Sequence, residues 1–287
     1  MLKGSLKKIL PPRFIQRMKQ IVRPYMWRVG KSLISQGVSL IRRSEAELLE
    51  KPVVRRYTGD DGSVLNCCVA YNRHGGYCVP LSSRHRQAAQ SILQGGVHEP
   101  ETIEYIGRAC RTGDIVHAGT YFGDFIPPLS KYCSDSSKVW AFEPNPENYR
   151  CAEITIAINN LENVEIKNAA LGNNSGYFPL RVKNSLGWSF GGSSSVELDP
   201  DPDVKTVRTK MVKIDDVIPE DRRVSLLHLD VEGFEKQALC GGLETIKRWK
   251  PVLILEDAPS EAWMRENILT LGYKYAGEVL WNTVWKT

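Results

Sequence analysis

Residues 113–146 read GDIVHAGTYFGDFIPPLSKYCSDSSKVWAFEPNP, and the fold follows from their order. An apolar strand, Asp114 to Ala118, runs into a turn carrying Gly119 and Gly123; a helix is predicted from Phe125 to Tyr132; a second apolar strand, Lys138 to Glu143, ends on an acid. Glycines at such a turn let backbone approach a ligand where a Cβ would collide. Glu143 stands twenty residues beyond Gly123, where a nucleotide-binding βαβ unit carries its ribose-binding carboxylate. The turn reads G-x-x-x-G and not G-x-G-x-x-G, so a pyrophosphate has no cradle and a nicotinamide-dependent dehydrogenase is disfavoured. An adenosine-containing cofactor without phosphate is expected, and S-adenosylmethionine meets that description.

Outward from this unit the chain alternates strand and helix. Further apolar runs lie at Val164 to Leu171, Leu226 to Val231 and Val252 to Glu256, with two more at Tyr273 to Val279 and Leu280 to Trp285. Helices are predicted at Glu147 to Asn159, Phe234 to Arg248 and Ser260 to Leu271. Strands that are apolar throughout predict an α/β fold with a doubly wound, mostly parallel sheet covered on both faces. The last two runs are close together and suggest an antiparallel edge hairpin. Upstream, Arg86 to Leu93 and Glu99 to Arg111 read as helices, the second opened by Pro100. Between Val53 and Pro80, short β-like runs separated by GDDG and NRHGG form a small hairpin extension. The expected organisation is a basic amphipathic arm over 1–44, a hairpin and helical extension over 45–96, and the main domain over 97–287. One long segment, NSLGWSFGGSSSVELDPDPD from Asn184 to Asp203, breaks the rhythm and reads as a lid or a passive loop. Its Trp188 is a candidate substrate contact, since a large aromatic in a polar segment is better used against a ligand than against water.

The 287 residues have ordinary apolar and charged fractions for a globular protein. The charge is unevenly placed. Residues 1–43 hold eleven Lys or Arg and no acid, so the remainder carries 38 − 11 = 27 cations against 33 acids, a net −6. Phe14, Trp27 and aliphatic residues recur between those cations at roughly helical spacing, as in helices that lie on an anionic membrane surface. A helical extension packed on the body, or an Arg-rich transit peptide, would look similar. No apolar run reaches 18 residues, and a cytoplasmic protein with peripheral membrane contact through the arm is expected. The seven cysteines include no C-x-x-C pair, which favours reduced thiols over disulfides or zinc. No nucleic-acid motif or basic stripe with stacking aromatics occurs in the body, so no nucleic-acid partner is expected. Oligomeric state is not readable.

Several blocks in order, GDIVHAGTYFGDF, KVWAFEPNPENY, NVEIKNAALG, GGSSS, KIDDV, LLHLDVEGFEKQAL and KPVLILE, resemble the FkbM-type S-adenosylmethionine-dependent methyltransferases over about residues 97–257. The resemblance implies a class I methyltransferase fold, Rossmann-like, with a seven-stranded sheet. It implies O-methylation of sugar, glycan or related small-molecule hydroxyls. Carried over residue by residue, it makes Gly119 and Gly123 cofactor-binding glycines and Glu143 the acceptor for both ribose hydroxyls. Pro144 and Asn145 would shape the wall beside the adenine, and Ala169 and Ala170 are small enough to admit a purine.

The chain departs from the family pattern at two places. His117 stands where the family commonly has Asp, and His228 where it commonly has Lys. An imidazolium at 117 would repel the cationic cofactor, so His117 is expected to be neutral, with Asp124 or Asp114 as possible sources of the missing negative charge. His117 is also what keeps an alternative open, a catalytically inactive methyltransferase-fold protein serving a membrane-associated glycan-synthesis complex. Asp230 and His228, two apart on one strand, are the candidate general bases. Glu232 and Glu256 are candidate acceptor contacts. Asp230, Glu256 and Asp257 could together hold a divalent cation, but no ligand-spacing motif marks a metal site.

Overall fold

The computed structural model describes residues 64–287, apart from 111, 135, 184–188 and 197–204. The arm, the first part of the extension and Trp188 therefore lie outside the described residues. The described chain opens with an antiparallel hairpin, β1 (Cys67–Asn72) and β2 (Gly75–Pro80), followed by α1 (Gln87–Leu93) and α2 (Pro100–Ala109). The unit quoted above follows: β3 (Asp114–Ala118), α3 (Ile126–Tyr132), β4 (Val139–Phe142), α4 (Pro146–Ile158) and β5 (Val164–Lys167). Next come β6 (Ala170–Leu171), β7 (Gly176–Lys183), β8 (Ser195–Val196) and β9 (Lys205–Val212). The chain then runs through α5 (Ile214–Val217), β10 (Val224–Leu229), α6 (Glu235–Cys240), α7 (Leu243–Trp249) and β11 (Val252–Leu255). It finishes with α8 (Glu261–Asn267), β12 (Lys274–Val279) and β13 (Asn282–Lys286).

Seven strands form the main sheet in the order β12-β13-β11-β10-β3-β4-β5. Its five inner and β5-side strands are parallel, and β13 runs antiparallel to both β11 and β12, as the closely spaced last runs suggest. Alternate residues of each parallel strand face opposite layers. Ile115, Val139, Leu226 and Ile254 pack with Ile103, Ile106 and Leu129 on one face, whereas Val116, Phe142, Leu227, Leu229 and Leu253 pack with Leu239 and Ile246 on the other. From β3 the chain moves outward through β4 and β5, then returns to the other side for β10 and β11. That reversal opens a crevice above the carboxyl ends of β3 and β10, where open α/β sheets bind ligands.

The structure differs from the sequence reading in three places. The run Val164 to Leu171 divides: β5 stays in the main sheet, while β6 joins a four-stranded sheet, β6-β9-β7-β8, that the sequence did not reveal. In β7, Pro179 interrupts the alternation and Tyr177 is exposed, so no apolar run announces the strand. The helix predicted over Phe234 to Arg248 breaks at Gly241 and Gly242 into α6 and α7. Asp215 of the KIDDV block occupies the break, accepting from the backbone N–H groups of Glu244 (3.1 Å) and Thr245 (2.9 Å) and from the Thr245 hydroxyl (2.7 Å). It thereby satisfies two of the orphan donors at the start of α7. The hairpin β1–β2 and α1 share a buried cluster with Phe122 and Cys151, and Cys78 N–H donates to the Thr155 hydroxyl of α4.

Candidate functional site

The turn after β3 and the turn after β10 meet in van der Waals contact. Gly119 has φ +84°, and a Cβ there would lie 1.8 Å from the Asp230 carbonyl oxygen, so glycine is required by the neighbouring chain turn as well as by backbone conformation. Gly123 (φ +86°) lies against Thr155 of α4, and its role is in the turn and not in the pocket wall. Between them, Tyr121 (φ 54°) presents its N–H to Glu143 Oε2 at 2.7 Å. Glu143 Oε1 accepts from Asn145 N–H at 2.8 Å and, at a long 3.4 Å, from Asn148 Nδ2. Those contacts leave one acceptor position on Oε2 open, and the long one is readily displaced from Oε1. Burial pushes the Glu143 carboxyl up to about 8 despite these donors.

Glu143 closes one end of a slot whose other walls include Pro144, Ala169, Ala170, Phe142 and Gly119. Small and apolar walls around one buried carboxylate suit a purine nucleoside. The fourth side is formed by Gly192 and Ser194 of the GGSSS block and by Val196 just after it, within the segment read as a lid or a passive loop. Asn148 Nδ2 donates to Gly191 O at 3.0 Å, Asn145 Nδ2 to Ser194 Oγ at 3.0 Å, and the Arg86 guanidinium to Ser193 Oγ. With the segment so held, the cavity is about 30 Å³, room for a single water, and a purine enters only if this side moves outward. Asn145 therefore does not line the slot. It caps α4, accepting from Glu147 N–H at 3.0 Å, and ties the segment down.

Asp230 and Gly119 are shared between this slot and a larger cleft of about 530 Å³. The cleft also takes in His117, His228, Glu232, Glu256, Asp124 and Trp281. Asp230, Glu232 and Glu256 each bring a carboxylate oxygen to within 4.8 Å of the others. Asp257 is not in that group, so Glu232 takes the place the sequence suggested for it. Glu232 adopts φ 55° in the turn after β10. Burial, then the Glu256 charge, raises the Asp230 carboxyl well above the ordinary carboxylate range. Asp124 is pushed up to about 6 by burial. Asp114 is at the opposite end of β3, where it pairs with Arg222 and accepts from Trp140 Nε1 at 2.7 Å, so it supplies no charge to the cofactor side.

The two departures from the family pattern are one feature. His117 and His228 are register partners on β3 and β10, and their Nδ1 atoms lie 2.9 Å apart. Each side chain is 2% exposed, and both rings run nearly parallel to Phe125. A bond between two Nδ1 atoms needs one bearing a proton and one bare, so the rings cannot both be cationic. Burial drives His228 down to about 4 and, with the His228 field, His117 well below its ordinary value. A buried Asp and Lys at these positions would form a net-neutral pair, and the two histidines form another.

Residues 117–275 match the family model described as the methyltransferase FkbM domain. Among solved structures, the chain is similar to methyltransferase FkbM from Methylobacillus flagellatus KT, with 17% identity, a TM-score of 0.45, and coverage of 67% of this chain and 48% of that one. It thus spans about half the length of that protein. It is also similar to a SAM-dependent methyltransferase from Aquifex aeolicus (16% identity, TM-score 0.37, 66% and 88% coverage). A third similar structure is M. jannaschii TYW2 in complex with AdoMet (14% identity, TM-score 0.40, 78% and 85% coverage). No curated protein matches.

Proposed function

Because this chain belongs to the FkbM methyltransferase family and is an S-adenosylmethionine-dependent methyltransferase, we propose that its acceptor is a hydroxyl of a sugar, glycan or related small molecule. The observation that carries this reading is the junction at Asp230, where the small apolar slot ending on Glu143 adjoins a carboxylate-lined cleft. S-adenosylmethionine, when bound, supplies a methyl group on a cationic sulfur open to in-line displacement. Glu143 accepts the two ribose hydroxyls, a task for which a group with only acceptors is suited. Pro144, Ala169 and Ala170 flank the purine. The acceptor hydroxyl lies in the cleft, held by Glu232 and Glu256.

Asp230 takes the hydroxyl proton. Its raised pKa makes it a stronger base than an ordinary carboxylate, whereas His228 is held near 4 and spends one nitrogen on His117. The cleft sets Glu99, Glu101, Asp124, Asp230, Glu232 and Glu256 against Arg86, which disfavours phosphorylated acceptors and nucleic acid. The inactive-module alternative is kept open by His117; burial lowers its pKa, which favours the neutral imidazole that a cationic cofactor needs beside it.

The test uses methyl-labelled S-adenosylmethionine with an oligosaccharide acceptor pool that includes both neutral and uronic-acid-containing members. Transfer into an alkali-stable methyl ether is expected, with kcat reduced about 10²–10⁴-fold in Asp230→Asn. Label released by alkali as methanol would identify a carboxyl acceptor and overturn the hydroxyl assignment.

A further inference from the structure

The cleft floor has a geometry that acceptor binding alone does not require. Asp230 N–H donates to Ala118 O and Glu256 N–H to Leu229 O, both at 3.1 Å, so strand pairing continues one residue past β10 and β11. Side-chain alternation then puts Asp230 and Glu256 on the same face as His117, His228 and Ile254, one row above them. His117 lines the same cleft, is 2% exposed, and its Nε2 has no hydrogen-bond partner. The floor therefore combines three closely spaced carboxylates with a buried histidine in the preceding row of the same face, whose Nε2 is unpartnered.

We propose that Asp230, through the carboxylate oxygen that does not take the acceptor proton, binds one divalent cation, magnesium or manganese, together with Glu232 and Glu256 at the floor of this cleft. Oxygens around an octahedral ion at about 2.1 Å lie about 3 Å apart when adjacent and about 4.2 Å when opposite. The three carboxylate oxygens, all within 4.8 Å of one another, fall within reach of that arrangement. Carboxylate oxygen is the donor that hard cations select, and such ions keep several of their waters. Those waters supply hydrogen-bonding groups toward the His117 Nε2 below and leave positions that an acceptor oxygen can take. The proposal rests on the reading of this cleft as the acceptor pocket, but its test does not require an acceptor.

Manganese(II) is titrated into the full chain, freed of metal with EDTA and without any cofactor, and free ion is read by electron paramagnetic resonance. One ion bound per chain is expected, with Kd raised at least tenfold in Asp230→Asn and in Glu256→Gln and unchanged in Glu220→Gln, an exposed carboxylate elsewhere. Thermal melts of each variant verify that it is folded. Absence of binding by the wild type at millimolar manganese, or equal binding by Glu256→Gln, overturns the site without reference to any variant that fails to fold. Displacement of the ion one for one by S-adenosylmethionine also overturns it, because the carboxylates would then serve the cofactor's ammonium. S-adenosylhomocysteine binding in EDTA is measured in parallel. If it persists while manganese is ignored, only the cation site falls; if it is absent, the reading of the cofactor slot falls instead.

Discussion

At the residue scale, Glu143 and the histidine pair show how differently two buried groups can be read from sequence. Glu143 was legible because its role depends on local order: a strand, a glycine turn, a helix, and an acid at the end of the next strand. The His117–His228 bond was not legible, since 111 residues separate the two and only the register of β3 against β10 brings them together. Their coupling is testable by a double-mutant cycle. Alone, His117→Asp or His228→Lys buries a charge beside a neutral imidazole, an arrangement expected to cost several kcal/mol. Together they restore opposite charges, so the double variant is expected to be more stable than the sum of the singles by about 0.5–3 kcal/mol in urea unfolding. Strict additivity would show that the two side chains do not share a bond.

At the element scale, the strands that carry the site were readable because they are buried on both faces and therefore apolar throughout. β3, β4, β10 and β11 fall within one or two residues of the predicted runs. β7 and β9 were not readable, because strands exposed on one face and interrupted by Pro179 or charged residues have no comparable signal. The break between α6 and α7 was invisible for another reason. Its stop signal is two glycines inside a helical pattern, and its start signal, Asp215, lies 28 residues before Leu243 in sequence. Asp215→Ala removes all three of its bonds to α7 and is expected to lower stability by about 1–2 kcal/mol, measured by urea denaturation. A change within a few tenths of a kcal/mol would show that the cap is dispensable. The segment bordering the slot was marked out by its length and composition as a lid or a passive loop, whereas the ties from Asn145 and Asn148 required the fold.

At the scale of the whole molecule, charge is segregated between residues 1–43, with eleven cations and no acid, and a remainder of net −6. No described helix is long and apolar enough to cross a membrane. The arm is proposed to hold the enzyme on anionic lipid, with each cation near the surface worth about 1 kcal/mol. Full-length protein is expected to sediment with anionic vesicles at low salt and to be released as salt rises, while a chain beginning at Ser44 stays in solution and remains folded. Retention at high salt, or unfolding of the shorter chain, would count against a surface tether.

The central claim is that Glu143 receives the ribose of the cofactor, and calorimetric titration of S-adenosylhomocysteine into the full chain tests it most directly. In the free protein the Glu143 carboxyl is protonated below about 8, and the bound form requires the carboxylate. Affinity is therefore expected to rise between pH 6 and pH 8, with proton release on binding, and to level off above that range. At pH 8, Glu143→Ala is expected to weaken binding by about 1.5–3 kcal/mol, roughly 10- to 150-fold, and to abolish the pH slope. Equal affinity of wild type and variant, with the slope unchanged, would contradict the assignment.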